Sequence, residues 1–442
     1  MNSREAIHRA WKVSRGSRVY AYYDSHLREY RSGIPESTTG AALSAILRHA
    51  ISNVPFYSQF GSLPVAEAPL EALRALPLID KSIVREREED LCSTDLSRRK
   101  WHMDRSGGST GEPVKIIQDA EYVERVDAVE RLASHLVGRD VGQPQVMLWG
   151  SVRDIVKGGG DMQQSLRRAL TNSTVVNAFR MTEATMRDTL SLIDRRPPRL
   201  IVAYAQAVYE LARFAERNSI PVRRQKAIVT CADTLRPFMR EAIERVFGCP
   251  VFDRYGTREV GVIACEIPGY QGLWIAPWTC HVEIIDSSGA PVEDGVEGEI
   301  VITSLANFAM PLIRYRVGDR GVLAPPGRGP HPLASRVLER VTGRTNDVFR
   351  LRDGGIVAGE FFVYLMYLRP WVRAFQVVQK REDWMAFRVV LEGTGYPPEE
   401  WEEICSRARS VFGSECRVDL EIVDEIPALP SGKYRYTISE VQ

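Results

Sequence analysis

The spacing of hydrophobic positions changes along the chain and separates regions of different predicted secondary structure. In the first 100 residues apolar positions recur at helical spacing, most clearly within Ala41–Ser52, so this part is predicted to be largely helical. The pattern ends at Val54, because a residue that precedes proline disfavours the helical conformation.

Between residues 145 and 253, short β-rich runs alternate with helical patterns such as Ala205–Arg217 and Pro237–Phe247. The predicted strands are Gln145–Trp149, Thr174–Asn177, Arg199–Ala203, Ala227–Thr230 and Val251–Asp253. Strands that alternate with helices in this way are typical of a parallel α/β sheet.

Beyond residue 270 the pattern predicts first a β meander and then a small α+β domain. The strand-like runs of the meander are His281–Asp286, Gly298–Thr303 and Leu312–Arg316. The later elements are strands at Phe375–Lys380, Met385–Leu391 and Arg417–Val423 and an amphipathic helix at Pro398–Phe412. The predicted fold class is therefore α/β, with a large N-terminal domain over residues 1–343 (a parallel α/β sheet plus a β subdomain) and a small α+β domain over residues 344–442.

Composition and charge exclude several classes of protein. With 442 residues, 44% apolar and 26% charged, the chain is typical of a globular enzyme. Because 58 basic and 57 acidic residues leave a net charge of +1, neither nucleic acid nor an anionic membrane is predicted as a partner. No apolar run reaches the about 20 residues of a membrane helix. The seven scattered cysteines fit no disulfide framework, which predicts reduced thiols and a cytoplasmic protein. The oligomeric state is not predicted, and a homodimer is left open.

The segment Ser106–Gly111 consists of three glycines and three hydroxyl residues. Backbone amides of such a loop can surround an anion, and the hydroxyls add donors suited to a triphosphate. A surface turn would have a similar composition. The segment is not a Walker loop, because Glu112 follows Gly111 and the flanks Lys100–Asp104 and Val114–Gln118 are strand-like. A kinase or P-loop ATPase is therefore not predicted.

Two further segments carry candidate ligand-binding side chains. Phe252–Glu259 follows the last predicted strand of the parallel sheet, and ligands of such sheets bind at the carboxyl ends of strands. Tyr255 could stack on a base, and Glu259 could hold Mg²⁺ as one carboxylate beside phosphate oxygens. Asp319, just after the run Leu312–Arg316, could accept two ribose hydroxyls. Taken singly, a packed tyrosine, a solvated glutamate and a turn aspartate are the more common interpretations.

The last two motifs lie at the predicted domain boundary and in the C-terminal tail. Gly343–Asp347 contains Arg344, a donor suited to ribose or phosphate. The tail Leu429–Arg435 contains Lys433, which could reach into a cleft and neutralise charge that develops in a transition state.

Together and in this order, the motifs resemble those of the adenylate-forming superfamily of acyl-CoA synthetases. The likeness is greatest to the phenylacetate–CoA ligase branch, which includes the CapK-type proteins, and it runs over nearly the whole chain. Three further segments carry it: His49–Tyr57, Leu76–Lys81 and Asn307–Asp319.

The resemblance implies an ATP site with Lys433, Glu259 and Arg344 as catalytic residues. Nucleotide-binding positions would be Ser106, Gly107, Gly108, Ser109, Thr110 and Gly111 for the phosphates, Ala232, Asp233, Tyr255, Gly256 and Thr257 near the adenine, and Asp319 and Arg344 at the ribose. Glu259 would hold Mg²⁺, Lys433 would contact the acid's carboxylate and the α-phosphate, and Asn346 would be the hinge of a mobile small domain.

The implied activity is ATP-dependent activation of a carboxylic acid as an acyl-adenylate, followed by transfer of the acyl group to coenzyme A. Transfer to an amine or hydroxyl is the alternative. A nucleotide-binding homologue without catalysis is the alternative of another class, because Arg258 replaces a hydroxyl residue and Ala232-Asp233 replaces a Gly-Glu pair. Trp149 and Tyr204, at the ends of predicted strands, are candidate contacts to a compact, aromatic acid, with core packing as the other interpretation.

Some members of this branch carry a Cys/His metal site after the metal-binding glutamate. Cys265, Cys280 and His281 lie in that region, but Trp274 stands where a histidine ligand is expected. No zinc site is therefore predicted.

Overall fold

A computed structural model describes residues 2–61, 63–105, 114–149, 162–178, 182–331, 335–344, 348–352, 356–358, 360–367, 369–427 and 435–441. The chain divides into two units, Met1–Thr342 and Gly343–Gln442. Within the described residues, no helix combines the length and the apolar character that crossing a membrane requires.

The α-helices of the large unit are Ser3–Ser14, Val19–Ser32, Ser37–Asn53, Pro55–Ser58, Pro69–Arg74, Lys81–Glu86, Ala120–Leu136, Met162–Thr171, Glu183–Arg195, Ala205–Arg217 and Pro237–Phe247, with a 3₁₀ turn at Leu96–Arg98. Its strands are β1 (Trp101–Arg105), β2 (Lys115–Asp119), β3 (Gln145–Trp149), β4 (Ser173–Asn177), β5 (Leu200–Tyr204), β6 (Ile228–Cys231), β7 (Val251–Thr257), β8 (Gly261–Cys265), β9 (Leu273–Ile275), β10 (Cys280–Ile285), β11 (Glu297–Ser304) and β12 (Tyr315–Leu323). Strand β13 (Val337–Arg344) reaches the boundary between the units.

The main sheet has a parallel part and an antiparallel part. Its order over the described residues is β10-β11-β12-β13-β9-β8-β7-β6-β5-β3-β4. Neighbouring strands from β4 to β7 are parallel, whereas β7 pairs with β8 and β8 with β9 antiparallel. The predicted parallel α/β sheet and β meander are thus parts of one sheet, and the predicted fold class is confirmed.

The helix Ser37–Asn53 packs on the meander, whereas Ser3–Ser14 contacts the helix Met162–Thr171 and Val19–Ser32 contacts the helix Ala120–Leu136. Leu43, Ile46 and Leu47 of the helix Ser37–Asn53 are fully buried in a core that also contains Ile300 of β11 and Met310. The segment His49–Tyr57, one of those that carry the family resemblance, has a direct role in this packing. Its fully buried Tyr57 donates a hydrogen bond to the carbonyl of Pro311 and accepts one from the backbone amide of Ile313, both at 3.3 Å.

Arg314 joins the N-terminal layer to the meander. Its φ of 50° places it in the left-handed region, which a non-glycine residue seldom adopts. The guanidinium donates to the carbonyls of Arg74 and Leu76 at 3.2 and 3.1 Å and forms an ion pair with Glu283 at 3.3 Å. Both side chains of the pair are less than 10% exposed. Burial raises the pKa of Glu283, and the nearby Arg314 guanidinium offsets only part of this rise.

Two strand predictions need correction. The predicted strand Leu312–Arg316 begins later and runs further, as β12, so Asp319 lies inside a strand and not after one. The alternation is broken because three residues, Val317 to Asp319, oppose the single residue Ile300 of β11, and Gly318 has a φ of 82°. Similarly, β7 continues to Thr257, so Tyr255 belongs to the strand.

The small unit contains a four-stranded sheet of order β18-β17-β16-β19 in its described part. These strands are β16 (Val372–Arg381), β17 (Trp384–Leu391), β18 (Arg417–Ile422) and β19 (Thr437–Ser439). A hairpin of β14 (Val348–Arg350) and β15 (Ile356–Ala358) and the helices Glu360–Tyr367 and Pro398–Phe412 complete it. Phe349, Phe362 and Phe387 are fully buried and form an aromatic core, with ring centroids 4.9 and 5.6 Å apart.

Replacing Glu283 with Leu should destabilise the large unit by roughly 3–5 kcal/mol, because Arg314 would keep its charge in a buried site without a partner. Differential scanning calorimetry measures this loss. The matched control is Glu297→Leu, which removes the exposed pair with Arg320 and should change stability by about 0–1 kcal/mol. Equal losses in the two variants would contradict the role given to the buried pair.

Candidate functional site

The carboxyl ends of four adjacent parallel strands bring together side chains that are far apart in sequence. Trp149 and Tyr204 end β3 and β5, and their ring centroids lie 4.9 Å apart. Ala232 follows the last residue of β6, and the register of β6 against β7 places Tyr255 next to it. The edge therefore presents an aromatic wall beside the adenine positions that the resemblance implies.

The backbone turns sharply after β6. The amide of Asp233 donates to the carbonyl of Cys231 at 2.9 Å, and the residue between them, Ala232, has a φ of 71°. This is a γ-turn of a rare and strained form. Glycine takes such a φ without strain, which gives a physical reason for the Gly-Glu pair expected here. Strain of this kind tends to lie at functional sites.

Tyr255 and Asp319 are in direct contact. The hydroxyl of Tyr255 donates to Oδ2 of Asp319 at 2.8 Å, across 64 positions of sequence. In sheet order, β7 and β12 are separated by β8, β9 and β13. In a flat sheet, four strand spacings would amount to about 19 Å. A tyrosine cannot span that distance, so the sheet must curl and close its antiparallel half over the carboxyl edge of its parallel half.

Glu259 lies in the turn between β7 and β8 and is 5% exposed. Its Oε1 is 3.5 Å from Nζ of Lys81, the first residue of the helix Lys81–Glu86. Asp80 caps that helix by accepting hydrogen bonds from the amides of Ser82 and Ile83. Burial raises the pKa of Asp80, but the hydrogen bond from the Ser82 hydroxyl and those from the two amides outweigh burial and hold this pKa below its usual range.

Tyr315 completes the surroundings of Glu259. Its hydroxyl is buried beside the Glu259 carboxylate. Burial, and then the nearby Glu259 carboxylate, raises the pKa of Tyr315 far above its usual range. A buried carboxylate and a buried hydroxyl thus lie close together, with an ammonium group 3.5 Å from the carboxylate. The carboxylate fits Mg²⁺, which takes one or two carboxylates together with phosphate oxygens.

The antiparallel strands β1 and β2 flank the segment Ser106–Gly111 and are anchored to the Glu259 turn. The side-chain amide of Gln118 on β2 donates to the carbonyl of Arg258 at 3.1 Å. Asn307 anchors the hairpin from the other side: it accepts from the amide of Asp119 at 3.1 Å and donates to the carbonyl of Ile117 at 2.9 Å. Asn307 in the likeness segment therefore has a structural role.

Several predicted site residues cannot be placed. The phosphate-loop residues Ser106, Gly107, Gly108, Ser109, Thr110 and Gly111, the hinge Asn346 and the catalytic Lys433 lie outside the described residues. Arg344 is described only as the last backbone position of β13. Their roles remain predictions.

Gly256 and Thr257 lie in β7 beside Tyr255. A Cβ atom on Gly256 would lie 2.5 Å from the carbonyl oxygen of Gly261, so only glycine allows β7 and β8 to approach this closely. Thr257 accepts the amide of Val260 at 3.3 Å through its hydroxyl, which stabilises the turn that carries Glu259. Both residues shape the site through the backbone.

The sequence interpretation gave no role to Lys81 or Tyr315. Both lie in segments that carry the family likeness, but nothing in their local sequence indicates contact with Glu259. One feature of the sequence could have indicated the role of Lys81: it follows Asp80, a helix-capping residue, so its ammonium group lies at the start of a helix. Helix N-termini favour anions, so a cation there needs another partner.

The segment from Cys265 to His281, where some members of the branch bind a metal, contains buried thiols. Burial raises the pKa of Cys265 and of Cys280 to about 12, and the thiol of Cys280 donates to the carbonyl of Ile263. Trp274 is buried and donates to Ser335. Among the described residues, no cluster of three or more His, Cys, Asp or Glu side chains is suited to a metal ion.

Residues 350–440 match the CapK C-terminal domain family. CapK of Staphylococcus aureus is 22% identical over 398 residues, which cover 88% of this chain and 86% of that protein. A phenylacetate–coenzyme A ligase of Pseudomonas putida is 27% identical over 318 residues, 69% of this chain and 70% of that enzyme. The chain is thus similar to CapK and to the phenylacetate–coenzyme A ligases over most of its length.

A solved structure has the same fold. The crystal structure of 2-hydroxyisobutyryl-CoA ligase in a postadenylation state superposes with a TM-score of 0.69, covering 91% of this chain and 89% of that one. Its sequence identity of 17% supports the fold alone.

Replacing Lys81 with Met should cost more stability than replacing Glu259 with Gln. The first change leaves a 6% exposed carboxylate without its cation, whereas the second leaves an ammonium group that is 26% exposed. We expect a loss of roughly 1–3 kcal/mol for Lys81→Met by calorimetry, with part of it recovered in the Lys81→Met/Glu259→Gln double variant. Strict additivity of the two single changes would show that the pair does not interact.

Proposed function

We propose that this chain is an AMP-forming acid ligase: it activates a carboxylic acid with ATP as an acyl-adenylate and then passes the acyl group to coenzyme A. The observation that carries the proposal is the Tyr255–Asp319 hydrogen bond, with Glu259 in the turn that follows Tyr255. Residues separated by 64 positions meet where one nucleotide would need a base contact, a ribose acceptor and a metal ligand. The relatives named as acid–coenzyme A ligases support this proposal.

The described residues would position the reactants. Tyr255 would stack on the adenine while Asp319 accepts the ribose hydroxyls through its two carboxylate oxygens. Glu259 would hold Mg²⁺, which supplies positive charge to the phosphates, and Lys81 beside it would add a further cation. Adenylation needs no general base, because a carboxylate is already ionised at neutral pH. The rate would therefore depend on positioning and on charge neutralisation.

The remaining roles fall largely on residues outside the described part of the chain. Ser106 to Gly111 would hold the β- and γ-phosphates, and Arg344 would join Asp319 at the ribose. Lys433 would reach the carboxylate and the α-phosphate, and residues 344–442 would act as a lid that turns at Asn346. Trp149 and Tyr204, 4.9 Å apart, would contact a compact, aromatic acid.

Exchange of labelled pyrophosphate into ATP tests the activity. A panel of aromatic and aliphatic acids is added singly, and at least one acid should drive exchange with Mg²⁺ present and lose it with EDTA. If no acid supports exchange while ATP still binds, the proposal fails and the non-catalytic nucleotide-binding homologue is favoured. Product analysis with coenzyme A, amines or hydroxyl compounds then identifies the acceptor.

Lys433→Ala should abolish acid-dependent exchange and leave transfer from a preformed acyl-adenylate to coenzyme A nearly unchanged, because only the first step develops negative charge at the α-phosphorus next to this lysine. The two half-reactions are assayed separately. Lys380→Ala, which removes a lysine paired with Glu440 in the same unit, is the control and should affect neither step. Equal loss of both half-reactions in Lys433→Ala would contradict the assigned role.

Asp319→Ala should weaken ATP binding by roughly tenfold or more, because hydrogen bonds to a charged acceptor contribute about 1.5–3 kcal/mol. Tyr255→Phe retains the ring and should weaken ATP binding by less. Isothermal titration calorimetry gives both values, with Tyr270→Phe, an exposed tyrosine of the same unit, as the control. An unchanged ATP affinity in Asp319→Ala would remove the ribose role.

A further inference from the structure

The opposite edge of the parallel sheet carries a second concave surface. A depression of about 520 Å³ lies at the amino ends of β5, β6 and β7, where the chain enters each strand from a helix. The strands themselves, of four to seven residues, separate it from the Tyr255 edge by about 15 Å. It therefore lies outside the proposed ATP site.

Four cations surround this depression: Arg199, Arg223, Arg224 and Lys226. All four are exposed, and within the described chain none forms an ion pair with a carboxylate. Arginines nearby are paired, as Arg240 is with Glu266 and Arg245 with Glu216. In a chain with a net charge of +1, this is a local concentration of unneutralised positive charge.

Gln225 adds an independent observation. It lies between Arg224 and Lys226 in the wall of the depression but is only 4% exposed. Its amide nitrogen donates to the carbonyl of Arg223, whereas its Oε1 is buried without a hydrogen-bond partner among the described residues. An unsatisfied buried acceptor costs about 1–3 kcal/mol, and a turn of this side chain towards the depression would let a ligand's O–H or N–H donor recover that free energy.

The walls are held in place before any ligand binds. The backbone of Gln225 donates to Phe247 at 2.9 Å, and that of Ile228 donates to Pro250 at 3.1 Å. The side-chain stem of Arg224 lies against Gly248, where a Cβ atom would be 3.2 Å from its Cγ. Rigid walls reduce the entropy lost when a ligand binds.

Three helices, Glu183–Arg195, Ala205–Arg217 and Pro237–Phe247, end at this edge, and helix C-termini attract cations. That attraction accounts for the presence of basic residues. It does not account for their arrangement around a concave surface or for the unsatisfied oxygen of Gln225.

We propose that this depression binds a small phosphorylated metabolite with two or more negative charges and a hydroxyl or amine donor. Guanidinium groups suit phosphate because they donate two parallel hydrogen bonds. A small ligand is favoured over a nucleic acid because the positive charge is local and the chain as a whole is nearly neutral. The proposal is independent of the activity at the carboxyl edge.

Isothermal titration calorimetry on the full chain tests the proposal with two probes, fructose 1,6-bisphosphate for a sugar phosphate and adenosine 3′,5′-bisphosphate for a nucleotide. The variant Arg223→Gln/Arg224→Gln/Lys226→Gln should weaken binding of the better probe by roughly tenfold or more. Gln225→Met, which keeps the volume and removes the acceptor, should weaken it several-fold. The control variant Arg28→Gln/Arg48→Gln/Arg328→Gln removes three exposed arginines elsewhere and should leave the affinity within twofold.

Three results would overturn the proposal: no binding of either probe to the unaltered chain, equal affinity in the basic variant, or binding of duplex DNA without binding of either probe. Failure of pyrophosphate exchange, by contrast, would bear only on the carboxyl edge. A crystal soaked with the better probe should show its phosphates beside Arg223 and Arg224.

Discussion

The contact between Tyr255 and Asp319 sets the strongest constraint on the large unit. Its 2.8 Å hydrogen bond joins strands that a flat sheet would hold about 19 Å apart. The antiparallel half must therefore curl over the end of the parallel half. The bulge at Gly318 allows part of this bend, and hydrogen bonds from Arg314 to the carbonyls of Arg74 and Leu76 hold the adjoining segment against the N-terminal layer. The enclosed Glu259, Lys81 and Tyr315 meet as a result of that curvature.

Local periodicity predicted the elements whose termini have their own chemical signals. The helix Pro237–Phe247 begins with a proline at its first position and ends at Gly248 in the left-handed conformation, so both of its ends were predicted to the residue. Strand β12 was predicted too short, because a bulge interrupts the alternation on which a strand prediction rests. Elements with a regular alternation of apolar and polar residues were therefore predictable from the sequence, whereas the bulged strand was not.

The candidate site was predictable only in part, for a related reason. Tyr255, Glu259 and Asp319 occur in segments with a recognisable composition. Lys81 meets Glu259 across 178 positions, and the bridge that places Tyr315 beside the same segment joins it to Ile79 across 236 positions. No short window contains that information. Motifs indicate which chemical groups are present, whereas long-range pairing decides which of them share an environment.

Parallel strands separate two kinds of chemistry at their two ends. The carboxyl ends of β3, β5, β6 and β7 present aromatic rings and a strained turn, while the amino ends of β5 to β7 present arginines and a lysine. The polarity of the strands thus gives one sheet two edges of different character.

The hydrogen bonds that join the N-terminal layer to the meander have a consequence for biosynthesis. The carbonyl of Arg74 accepts from Arg314, which is 240 residues later in the chain, and Tyr57 donates to Pro311, which is 254 residues later. During translation, the N-terminal helices therefore leave the ribosome long before the surface that buries Leu43 and Ile46 exists. Such non-local pairing slows folding and leaves apolar faces exposed in the nascent chain, so newly made protein should depend on chaperones until β12 has emerged.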